Sequence, residues 1–163
     1  MSGVGGIIPV EREVQMAYTD LARSHVRECV RDAFGLSELV EDADGDLPFR
    51  HGTAAYYVTL RKDGQRVKAW SWAVREVKAT APLLRELNEV NGELELARIF
   101  WRSRAVVVEG VLPVDDLTPE RLRELCVEVG QTADRVGQVL AAVYGGEVAF
   151  ADEEGDGCPE CGG

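Results

Sequence analysis

The dipeptide Asp63-Gly64 constrains this chain more than any other feature. It stands between two runs rich in β-branched and aromatic residues, and Asp-Gly in that setting signals a tight β-hairpin. If the turn is those two residues, Lys62 faces Gln65 and the register of both strands follows. Leu60 then meets Val67, Val58 meets Ala69 and Tyr56 meets Ser71 on one face. Thr59 meets Lys68, Tyr57 meets Trp70 and Ala55 meets Trp72 on the other. Successive side chains of a strand point to opposite faces, so the two faces differ in chemistry. The first is small and aliphatic and suits packing beneath helices. The second sets Tyr57, Trp70 and Trp72 among Thr59 and Lys68.

The same logic applied to His51-Gly52 pairs Phe49 with Ala54 and Leu47 with Tyr56, adding a third strand to the first face. Pro48 has no N–H to donate, which places that strand at a sheet edge. Ser103-Arg104 joins two further strands, about Leu96 to Arg102 and Ala105 to Leu112. Ile99, Trp101, Val106 and Val108 then share one face, and Arg98, Phe100, Arg102, Val107 and Glu109 the other.

Three helices complete the pattern. Val14, Tyr18, Leu21, Val26, Cys29, Val30 and Phe34 recur at helical spacing from about Glu11, and Gly35 is a plausible stop. Thr80 caps a short helix whose stripe is Leu83, Leu84, Leu87 and Val90, ending at Asn91-Gly92. Thr118-Pro119-Glu120 opens the last one, with an N-cap, a proline in the first turn and an early acid. Its stripe of Leu122, Leu125, Cys126, Val129, Ala133, Val136, Leu140 and Val143 runs to Gly145-Gly146. The reading is an α+β domain over 11–146, with an antiparallel five-stranded sheet, flanking helices and element order α-β-β-β-α-β-β-α. Residues 1–10 read as a flexible start and 147–163 as an acidic, Gly-rich flexible tail.

Charge and missing motifs remove several function classes. The formal net charge is -11. Six of the 29 acids lie after residue 146, leaving 23 against all 18 bases in the remainder. Such a balance repels phosphate backbones and argues against nucleic-acid binding. No apolar run reaches the roughly 20 residues of a membrane helix. The first residues lack a basic region followed by a long apolar one, so no secretory signal is read and a cytosolic location is expected. Gly-Val-Gly-Gly near the start precedes no Gly-Lys-Ser/Thr, which excludes a phosphate loop. Asp42, Asp44 and Asp46 alternate as in a calcium loop. Leu47 stands where the turn glycine belongs, and Thr53 where the bidentate Glu belongs. No nucleophile elbow or HExxH occurs, and two histidines among scattered acids are poor material for acid–base chemistry, so no enzyme is expected.

This element order, together with the segments GDLPFRHGTAAYYV, RIFWRSRAVVV and LTPERLRELCVEV, resembles the YbjN-like and type III secretion chaperone-like family. More narrowly, it resembles the actinobacterial peptide-binding chaperone branch. The resemblance spans about Val14 to Tyr144. It implies an antiparallel sheet flanked by helices and a role in binding peptides or unfolded segments, often as a homodimer. Related domains are labelled sensory-transduction regulators.

Aromatics in polar surroundings are typical of binding surfaces. The expected peptide- or partner-binding residues are therefore Tyr57, Trp70, Trp72, Phe100 and Val107, edged by Arg98 and Arg102. The competing reading covers this face with another helix or a second core layer. An open sheet edge is a second way to take up an extended peptide. An adaptor for one fixed partner is the alternative function. A further alternative is a zinc module through Cys158 and Cys161. A single CxxC supplies two of the four ligands that structural zinc usually takes, and two tails of a dimer could supply all four. A redox pair is the other option, though CPEC does not open a helix after a strand as a thioredoxin-like site does.

Overall fold

A computed structural model describes residues 9–148. In it the strands on either side of Asp63-Gly64 have the expected register, with Tyr57 opposite Trp70 and Leu60 opposite Val67. The turn is wider than two residues: the Arg61 amide donates to the Arg66 carbonyl at 2.9 Å, the Gly64 amide donates to the Arg61 carbonyl at 2.8 Å, and of these residues only Gly64 has positive φ. The elements run in order α1 (Pro9–Phe34), β1 (Asp46–His51), β2 (Ala54–Leu60), β3 (Arg66–Arg75), α2 (Ala81–Asn91), β4 (Ala97–Arg102) and β5 (Ala105–Pro113). A 3-10 turn, α3 (Pro119–Tyr144) and β6 (Glu147–Val148) follow. The antiparallel sheet has the order β1-β2-β3-β5-β4, and β6 pairs with the end of β3. The expected order of helices and strands holds, with β6 as a sixth strand beyond the expected five.

Two registers are instructive. Ser103 and Arg104 both take positive φ, 50° and 63°, and join Arg102 to Ala105 directly. That is the left-handed geometry a two-residue hairpin needs. The first hairpin differs from expectation. Phe49 faces Tyr56 and Leu47 faces Val58, because Gly52-Thr53 makes the turn and His51 pairs with Ala54. Only Gly52 there has positive φ, at 62°. The slip is two residues, so every side chain keeps its expected face.

All three helices lie on the aliphatic face. Both predicted N-caps form: the Thr80 and Thr118 hydroxyls accept from the amides of Leu83 and Arg121. α3 crosses β2, β3, β5 and β4. It can do so closely because Gly130 sits over the Tyr56 ring and Gly137 over the Ala73 carbonyl. The core joins Val26, Cys29 and Val30 of α1 to Leu83 and Leu87 of α2 and to Leu122, Leu125, Val129 and Leu140 of α3, over Val58, Val67, Ala69, Ile99 and Val108 of the sheet.

α1 departs from its sequence reading. Only its second half is buried, at Ala22, Val26, Cys29, Val30 and Ala33. Val14 and Leu21, on the same apolar stripe, are 65% and 70% exposed. A helix of 26 residues is about 39 Å long, and among the described residues its first half meets the β2–β3 turn and Asp115 through Gln15, Thr19 and Tyr18, which leaves this stripe uncovered. Val143, at the far end of α3, and Leu84 of α2 are likewise exposed.

Candidate functional site

The face turned away from the helices carries the aromatic residues. Alternation along β3 presents Arg66, Lys68, Trp70 and Trp72 there. Pairing brings Trp70 opposite Glu109 and Trp72 opposite Val107, while Arg98 faces Glu109 and Phe100 faces Val107. The five residues expected from the sequence therefore share one surface. Tyr57, Trp70, Trp72 and Phe100 are half-buried and stand outside the core cluster. No helix among the described residues covers them. Val107 plays a different part: it is fully buried between its cross-strand neighbours Trp72 and Phe100, and forms the floor.

The rings cover one another. Tyr57 stacks on Trp70 at 4.3 Å between centroids, and Trp72 meets Trp70 edge-on at 5.1 Å. Lys68 lies over the Trp70 ring at 5.5 Å, and Arg98 and Arg102 flank Phe100 at 5.4 and 5.8 Å. Glu109, 4% exposed, is held by Arg98 through a short ion pair and approached by Lys68 at 4.0 Å. The indole N–H of Trp70 is buried without an acceptor. An unpaired buried donor is costly, and here it lies within the aromatic cluster. A groove of about 870 Å³ shares Lys68, Arg98, Arg102 and Glu109 with this face. The Glu109 ion pair could have been read from the sequence, since one acid interrupts the run VVVEGVL opposite Arg98.

The sheet edges are less available than the sequence suggests. On β1, the Asp42 side chain accepts from the Asp46 amide at 2.9 Å, and the Asp42 amide donates to the Asp46 carbonyl at 2.9 Å. Pro48 follows with no N–H. On β4, Asn91 imitates a neighbouring strand: its Nδ2 donates to the Ile99 carbonyl and its Oδ1 accepts from the Ile99 amide, both at 2.8 Å. Glu128 of α3 accepts from the amides of Glu95, Leu96 and Ala97. Side chains thus occupy backbone groups that an added strand would need. Asn91 reads in sequence only as a helix stop, and Glu128 only as a helix acid.

The other candidate groups have structural employment. Asp42 also accepts from the Asp44 amide, so the acidic loop is a self-capped turn. His25 Nε2 lies 3.0 Å from the Leu117 carbonyl, and the His51 ring packs on Phe34 at 5.1 Å. Cys158 and Cys161, the zinc candidates, lie outside the described residues. Among the described residues no group of three or more His, Cys, Asp or Glu could hold a metal ion. No described helix is long and apolar enough to cross a membrane.

Burial pushes the Cys126 thiol from 9.0 up to about 12. The Tyr56 phenol also rises to about 12, chiefly by burial, with Cys126 and Asp134 adding to it. The unfolded thiol ionises near pH 9 while the folded one keeps its proton. Stability should therefore hold up to about pH 9 and fall between there and about pH 12, by up to about 1.4 kcal/mol per pH unit for Cys126. Urea midpoints at pH 8 and pH 10 measure this. Cys126→Val should make the decline shallower, and an unchanged slope in that variant would refute the assignment.

The sequence matches a family model described as T3SS (YopN, CesT) and YbjN peptide-binding chaperone 1, over residues 20–152. No curated protein matches it. Solved structures share the fold at low identity. A HopA1–SchA chaperone–effector complex aligns at 11% identity with TM-score 0.59, covering 73% of this chain and 98% of the other. The Yersinia pestis type III secretion chaperone SycH, in complex with a fragment of YscM2, aligns at 13% and 0.54, covering 69% and 96%. YbjN from E. coli aligns at 17% and 0.55, covering 78% and 96%.

Proposed function

We propose, from the premise that this chain belongs to the family of T3SS (YopN, CesT) and YbjN peptide-binding chaperones, that its helix-free sheet face holds segments of other polypeptides without catalysing a reaction. One observation carries the assignment to that face: Tyr57, Trp70, Trp72 and Phe100 form a half-buried aromatic surface on the sheet, outside the core and under no helix of the described residues. Aromatic side chains bury large area for little lost entropy, and cations at their rim add attraction and orientation. HopA1–SchA and SycH–YscM2 are complexes of a chaperone with a polypeptide partner, which supports the same class of ligand here. Occupation of backbone groups by Asp42, Asn91 and Glu128 favours side-chain contact with the face over strand addition at an edge.

Breadth of binding tests the reading. Fluorescence anisotropy with a panel of unrelated, unfolded peptides should show weak binding to many, and the protein should slow aggregation of a reduced, unfolded polypeptide. Binding to none of the panel, together with stoichiometric capture of a single partner, would overturn it in favour of an adaptor.

A further inference from the structure

The binding face is positively charged in a strongly acidic protein, and an acidic segment of sequence follows β6, which pairs with the end of β3. Outward positions of β3 and β4 hold Arg66, Lys68, Arg75, Arg98 and Arg102. Glu109 is the only acid at outward positions of β3, β4 and β5, and Arg98 and Lys68 already engage it. Residues 149–163 contain five acids (Asp152, Glu153, Glu154, Asp156 and Glu160), one phenylalanine (Phe150) and no Lys or Arg. Their point of departure is fixed. β6 pairs Glu147 with Arg75 and Val148 with Val74. It runs antiparallel to β3, so its direction is toward Trp72.

The path beyond Val148 is narrow. Continuing the β2–β3 register places Ala54 and Ala55 beside Ala73 and Trp72, so β2 already holds the next places along β3. Ser71 Oγ donates to the Ala55 carbonyl at 2.8 Å, which keeps the two strands together there. The helix side is filled as well, since Gly137 of α3 sits on the Ala73 carbonyl. Of the two faces of the sheet, the aromatic one carries no described helix. Fifteen residues at about 3.3 Å each reach up to about 50 Å, more than enough to cross one sheet face.

We propose that residues 149–163 are an intramolecular occupant of this face, docking Phe150 and the acids against the aromatic and cationic side chains and competing with external polypeptides. The proposal rests on the preceding assignment of the face. It requires only weak intrinsic affinity, because a short tether gives an effective concentration in the millimolar range. Screening by salt weakens it, since the charged groups are largely exposed.

The test uses a fluorescein-labelled peptide of residues 149–163 with Cys158→Ser and Cys161→Ser, and two full-length proteins. One is the parent. The other carries Asp152→Asn, Glu153→Gln, Glu154→Gln and Asp156→Asn. The neutralised protein should bind the peptide about three- to tenfold more tightly than the parent at low salt, with the gap closing in 0.5 M salt. It should gain similarly toward the unrelated peptides. Equal affinities would overturn the proposal. So would failure of both proteins to bind the tail peptide while both still bind unrelated peptides, and in that case the assigned function stands. Failure to bind any peptide would remove both.

Discussion

Replacing Gly137 by alanine should lower the melting temperature by about 4–8 °C, although alanine is the better helix former. A Cβ at this position would stand 2.6 Å from the Ala73 carbonyl oxygen and 3.3 Å from its carbonyl carbon. Both are backbone atoms of the central strand β3, at the point where its pairing with β5 shifts register between Trp72 and Val74. No rotamer change can relieve that contact, so the helix or the strand must move. Such overpacking reaches about 3 kcal/mol. Helix propensity returns about 1 kcal/mol. The net of about 2 kcal/mol corresponds to the stated shift for a domain of this size. Gln138→Ala, on the exposed side of the same turn, should leave the transition in place. A Gly137→Ala protein as stable as its parent would mean that α3 does not rest on Ala73.

That contact shows what the sequence conceals. The α3 stripe is legible because one apolar face repeats over seven turns. Gly130 and Gly137 read only as small residues within it, since their role depends on which strand lies beneath. The Asp63-Gly64 and Ser103-Arg104 hairpins are legible because a turn and alternation together fix register. Gly52-Thr53 is not, because His51-Gly52 satisfies the same alternation and choosing between them needs the observed pairing of Phe49 with Tyr56. Periodicity places Val14 and Leu21 on α1's apolar stripe but cannot say where neighbouring elements end. The membership of the aromatic face is legible for the same reason as the hairpins: parity decides it. Its openness is not, because an uncovered face and a second core layer have the same strand pattern. Asn91 and Glu128 act on β4 across 8 and more than 30 residues of chain, a link that only tertiary structure supplies.

The openness of the face leads to the largest functional effect. Replacing Trp70 and Trp72 together by threonine should leave the protein folded and weaken peptide binding by at least about 30-fold. Threonine suits a strand as well as tryptophan does. Neither indole belongs to the core cluster. The change gives up the Tyr57 stack and the Trp70–Trp72 edge contact, each worth about 1 kcal/mol, and uncovers part of Val107, while removing the unpaired Trp70 N–H offsets part of that loss. Binding has no such compensation. Aromatic anchors at the centre of an interface contribute about 2 kcal/mol or more each when truncated, and 2 kcal/mol alone is about 30-fold. Trp101 provides the contrast. Its indole donates to the Val77 carbonyl at 2.9 Å and its ring packs against the core. Trp101→Thr should therefore destabilise the fold while leaving the peptide affinity of the remaining folded protein intact. Thermal melts and anisotropy with a labelled peptide separate the outcomes without relying on tryptophan emission. Unfolding of the double variant would place both indoles in the core. A folded double variant with undiminished affinity would move the binding site off this face.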